Sequence, residues 1–110
     1  MAFDPGLAER LRAVLAAAGA SPIEKKMFGG LSFMVGGNMC CGVMGEDLVV
    51  RVGPDGAGSA LAESATRPFD MGRGPSASMV VVAPAGLATD KALARWVHQA
   101  LTFVATLPAK

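Results

Sequence analysis

The sequence predicts an α+β domain of two layers, a five-stranded antiparallel sheet with N- and C-terminal helices on one face. Three observations carry that prediction. Both ends of the chain place apolar residues at helical spacing. The stretch between them is a series of short β-prone runs separated by glycine-containing turns. Within it, Met27-Phe28-Gly29-Gly30 leads into two runs, Leu31–Val35 and Met39–Met44, joined by Gly36-Gly37-Asn38, the composition of a tight hairpin.

The first helix begins at Asp4, a capping residue, with Pro5 at a position where its missing N–H is not needed. Leu7, Leu11, Val14, Leu15 and Ala18 form one stripe, with Glu9, Arg10 and Arg12 off it. Gly19 suits the left-handed C-terminal position and Pro22 forbids continuation. Strands are expected over Glu24–Phe28, Leu31–Val35, Met39–Met44 and Asp47–Val52, with Gly45-Glu46 as the second hairpin turn. Leu48, Val50 and Val52 share one face of the fourth strand, and Val49 and Arg51 the other. Gly53-Pro54 ends the meander. A weak helix over Asp55–Glu63 is capped by Asp55 and diluted by Gly56 and Gly58. Ser64–Ala77 reads as an irregular link, and Ser78–Ala83 as the fifth strand, stopped by Pro84. The last helix starts near Thr89 or Asp90, and its stripe is Leu93, Trp96, Val97, Ala100, Leu101 and Val104.

At 110 residues the chain, 1–110, is a single domain with one core. Its apolar fraction of 52% is high for so small a domain, which points to burial against a second copy, a homodimer. Ten Lys and Arg against nine Asp and Glu leave a net charge of +1, with the cations scattered. Nucleic-acid binders concentrate positive charge, so charge does not support DNA binding. The start carries no signal-peptide pattern. The most apolar stretch, Met79–Ala88, is too short to cross a bilayer. A cytoplasmic protein with no membrane partner is expected.

No residue pattern announces catalysis, a cofactor or a metal. His98, the only histidine, falls off the apolar stripe of its helix and reads as solvated surface. Cys40 and Cys41 lack the two-to-four-residue separation of a zinc pair, and neighbouring strand residues project oppositely, so core packing is the expected role for both. Gly29-Gly30 and Gly36-Gly37 run from strand to strand rather than into a helix, which favours turns over a phosphate loop. Gly72-Arg73-Gly74 is followed by Pro75 and a strand and scores weakly for the same purpose. Lys25, Lys26 and Arg51, with Arg73, are the candidate partner or anion surface. An ordinary solvated sheet face is the competing and favoured reading. Met34 and Val49, on the less apolar side of the strands, are the candidate dimer face.

The run from Glu24 through Val35, then Asn38-Met39, Cys41-Gly42-Val43 and Leu48-Val49-Val50-Arg51-Val52-Gly53, resembles the TfoX N-terminal domain family. Arg67-Pro68-Phe69-Asp70, Ala94-Arg95-Trp96-Val97 and the opening Leu7-Ala8-Glu9-Arg10-Leu11-Arg12 fit the same pattern, so the resemblance covers nearly the whole chain. It implies a secretion-chaperone-like α+β fold and kinship with the amino-terminal half of a competence-gene regulator. That regulator's carboxy-terminal domain has no counterpart here. At Gly72–Met79 the chain departs from the family's Gly-Arg-Pro turn by an inserted glycine and a lost lysine. The leading expectation is a non-enzymatic regulatory or adaptor domain that binds an unidentified protein partner. Direct DNA binding in transcriptional regulation is the alternative, and a thiol enzyme using Cys40 or Cys41 ranks last.

Overall fold

The computed structural model describes residues 3–27, 29–70, 72 and 74–109. Its elements are α1 (Pro5–Ala17), β1 (Ile23–Met27), β2 (Gly30–Val35), β3 (Asn38–Met44), β4 (Asp47–Arg51), α2 (Pro54–Leu61), β5 (Thr66–Asp70), β6 (Pro75–Val82), a 3₁₀ turn (Pro84–Leu87) and α3 (Asp90–Val104). No described helix is long and apolar enough to cross a membrane.

The capping residues act as their chemistry dictates. Asp4 Oδ1 accepts the Gly6 N–H at 2.9 Å. Thr89 Oγ1 accepts the Ala92 N–H at 3.1 Å at the start of α3. At the end of α1, Gly19 takes φ +80°, and the Ala20 N–H closes onto the Leu15 carbonyl at 2.9 Å.

All strand pairs are antiparallel, in the order β1-β2-β3-β4-β6-β5. The main core lies between this sheet and the helices. It joins Leu7, Leu11 and Leu15 of α1, Ala57 and Ala60 of α2, and Leu93, Trp96, Val97 and Ala100 of α3 to Leu31, Phe33, Val43, Leu48, Val50, Val80 and Val82 of the sheet. All three helices therefore cover one face, as a two-layer domain requires. The opposite face carries a separate cluster of Met39, Val49, Phe69 and Val81, with Met34, Met44 and Met79 packed on it.

The structure departs from the sequence expectations in four places. The sheet has six strands, because Thr66–Asp70, within the expected irregular link, pairs with β6. Pro68 is tolerated because β5 is an edge strand, where a residue with no N–H costs no ladder bond. The strand after it starts at Pro75 rather than Ser78, and the intervening Gly72 and Gly74 both take positive φ. Gly53 at φ +84°, not Asp55, occupies the N-cap of α2, and Asp55 lies in the first turn.

The fourth departure concerns the cysteines. In the β2–β3 pair Phe33 faces Cys41 but Met34 faces Met39, so Cys40 is an extra residue, a β-bulge. Strict alternation fails at that point. Met39 joins the helix-free cluster, while Cys40 and Cys41 both enter the helix-side core. The two thiols do not project to opposite faces.

Candidate functional site

The helix-free face is the most distinctive surface of the domain. Antiparallel partners point to the same side, so register assigns each residue to a face. Lys25 pairs with Ser32, Ser32 with Gly42, Gly42 with Val49 and Val49 with Val81. That line crosses the helix-free face, and Ile23 and Met27, two residues either side of Lys25, flank it. Met27, Met34, Met39, Met44 and Met79 thus all belong to this side, where long unbranched side chains make an adaptable apolar surface. Val49 and Val81 form its floor at 0% and 1% exposure. Met34, Met44 and Met79 are half-buried above them. At the β1 edge, Ile23 is 66% and Met27 39% exposed. Of the two candidate contact residues, Met34 is at the surface and Val49 lies beneath it. At the other margin Arg67 bonds Asp47 at 2.8 Å.

The candidate basic surface is dispersed. Lys26 pairs with Leu31 and so points to the helix side, opposite to Lys25. Arg51 lies three strands away from both lysines, about 14 Å at ordinary strand spacing. Its Nη1 donates to the Met39 carbonyl at 3.4 Å, and its guanidinium carbon lies 5.6 Å from the centre of the Phe103 ring. Arg73 lies outside the described residues. Beside the lysines, Glu24 takes a bidentate bond from Arg12 at 2.7 and 2.8 Å. That bond holds the Glu24 carboxyl below its usual range and raises the Arg12 guanidinium further.

The thiols share an environment that strand periodicity conceals. Both are fully buried. A hydrogen bond from Cys41 to Cys40, with help from the Arg51 charge, pulls the Cys40 thiol below its ordinary pKa against the opposing effect of burial. The same bond, added to burial, pushes Cys41 well up. His98 is exposed on α3, so it is not packed with the buried thiols, and among the described residues neither thiol is paired with an orienting base. Among the described residues no group of three or more His, Cys, Asp or Glu converges on a possible metal position.

Two clefts also open among the described residues. One of about 370 Å³ is lined by Ala18, Ala20, Val35, Asn38, Leu101 and Leu107, where the ends of α1 and α3 meet the β2–β3 turn. It is apolar except for Asn38, whose Nδ2 donates to the Pro108 carbonyl at 2.9 Å. The other, about 340 Å³, lies beside Asp4, Arg10, Glu46 and Leu87. There Arg10 is tied to Asp90 at 3.3 Å and to the Leu87 carbonyl at 2.7 Å.

The glycine pair of the central motif has a structural explanation. Gly29 takes φ +73°, and a Cβ at Gly30 would collide with the Val43 carbonyl oxygen. The motif serves a turn and a close strand approach rather than a phosphate.

The sequence profile of the TfoX N-terminal domain matches residues 14–104. No curated protein matches the chain, and no solved structure does.

Proposed function

The chain belongs to the TfoX N-terminal domain family, and from that premise we propose a small cytoplasmic, non-enzymatic regulatory domain that works by protein–protein contact, as a homodimer through its helix-free sheet face. One observation carries this reading. The described methionines are segregated onto the side of the sheet that no helix covers, with Ile23 and Met27 exposed at its edge. Apolar surface of this kind on a small domain marks a contact site. A second copy presents the same chemistry, and two sheets packed face to face settle about 10 Å apart with their side chains interdigitated. Reduced, buried cysteines fit a cytoplasmic setting.

Direct DNA contact has less support from the geometry. Lys25 and Lys26 point to opposite faces, Arg51 is turned onto Met39 and Phe103, and Arg10, Arg12, Arg67 and Arg95 each hold an ion pair. Sedimentation at micromolar concentration tests the proposal. It should return the mass of two chains, and Met34→Glu should return one chain with the fold intact. A monomer at every concentration removes the homodimer.

A further inference from the structure

We propose that Cys40 and Cys41 form a two-thiolate site for a soft monovalent cation, copper(I), with Arg51 as the counter-charge. The two thiols lie on the helix side of the sheet, so the inference does not depend on association through the docking face; Arg51 pairs with Met79 of the helix-free side, and its guanidinium reaches the Phe103 ring of α3. The bulge at Cys40 carries the argument. Consecutive strand residues normally diverge, yet here the bulge turns both side chains into the same helix-side core cluster.

A disulfide is a poor use of that geometry. Neighbouring Cα atoms are about 3.8 Å apart across a trans peptide, whereas disulfide-bonded cysteines usually lie about 4.4–6.8 Å apart. A bridging metal relaxes the requirement, because two metal–sulfur bonds of about 2.3 Å, the zinc-thiolate length, let the sulfurs separate by up to about 4.6 Å.

Ligand number and charge then select the ion. No third His, Cys, Asp or Glu converges on the pair among the described residues, which leaves a tetrahedral zinc site incomplete. Thiolates favour soft ions, copper(I) among them. Binding releases two protons: two thiols and one Cu⁺ give a bis(thiolate)copper(I) unit of charge −1, with no change of oxidation state. A divalent ion would leave the thiolate unit neutral and the adjacent guanidinium uncompensated. Arg51 holds the carbonyl of the residue before Cys40 through Nη1, and its charge acts on Cys40. Its Nε is buried with no hydrogen-bond partner, so it lacks the acceptor that a metal-bound thiolate would supply.

The test is an anaerobic titration of the reduced full chain with copper(I) held by a coloured bicinchoninate chelator. The expected result is withdrawal of one equivalent per chain, ultraviolet copper–thiolate absorption and a raised melting temperature. Cys40→Ser and Cys41→Ser should each abolish the withdrawal, and Arg51→Met should weaken it at least tenfold while both thiols remain. Failure of the wild-type chain to compete overturns the site whatever the variants do. So does uptake of more than one copper, a lowered melting temperature, which would mean capture by the unfolded chain, or equal competition by zinc.

Discussion

Replacing Gly30 by alanine should destabilise this domain, although the same replacement at an unstrained position stabilises a protein. Gly30 opens β2 against β3. An added Cβ would overlap the Val43 carbonyl oxygen, with the Val43 carbonyl carbon at 3.1 Å and Met44 Cα at 3.2 Å. Every one of these is a backbone atom, so no side-chain rotation relieves the clash, and β2 must move off β3. A lost ladder bond costs about 1 kcal/mol, and overpacking costs about 1–3 kcal/mol. Reduced freedom of the unfolded chain returns about 0.4–1 kcal/mol. The net loss is about 2 kcal/mol, or about 9 °C in Tm at the usual unfolding entropy per residue. Gly58 is the control. It lies inside α2, and a Cβ there meets nothing within 4 Å. Gly58→Ala should therefore gain about 0.8–1 kcal/mol, raising Tm by about 4 °C. Thermal and urea unfolding of the two variants beside the wild type reads both signs. A Gly30→Ala protein as stable as the wild type would refute the close approach of β2 to β3, and with it the structural account of the glycine pair.

Asn38→Ala removes the bond that ties the buried start of β3 to the Pro108 carbonyl. Stability should fall by about 1 kcal/mol, and the amides of residues 105–107 should exchange with deuterium faster, as mass spectrometry would show. For the thiols, a raised native pKa at Cys41 means that the folded chain retains a proton the unfolded chain releases. Its contribution is complete below the ordinary thiol pKa of about 8.5 and declines as pH rises through it. The lowered Cys40 pKa has the opposite sign, with a contribution present above the ordinary value and lost as pH falls. Because each shift is caused first by the other thiol, urea midpoints at pH 7 and 9.5 under reducing conditions should show the alkaline change altered from the wild type in Cys41→Ala and Cys40→Ala alike. Met34→Glu places a charge on the half-buried methionine face. Sedimentation should show it lowering association with little change in Tm.

What the sequence determined by itself was the inventory of local elements and their caps. Asp4, Thr89 and Gly19 act at helix ends as their side chains or φ freedom require. The stripes of α1 and α3 face the core because a 3.6-residue period admits only one apolar side. The sheet class followed from the hairpin turns, and the family resemblance agrees with the profile match. Tertiary structure alone decided which strands pair at long range, and the candidate sites depend on that. β5 exists as a strand because β6 offers it a partner, a contact that no local propensity encodes around Pro68. The order β1-β2-β3-β4-β6-β5 separates Arg51 from Lys25 and Lys26. The bulge shifts β3 by one residue against β2, so alternation holds on either side of Cys40 but not across it. A period-two reading assumes an unbroken ladder, and only the partner strand reveals where the ladder slips. That slip puts both neighbouring thiols in the helix-side core and turns Met39 to the side without helices.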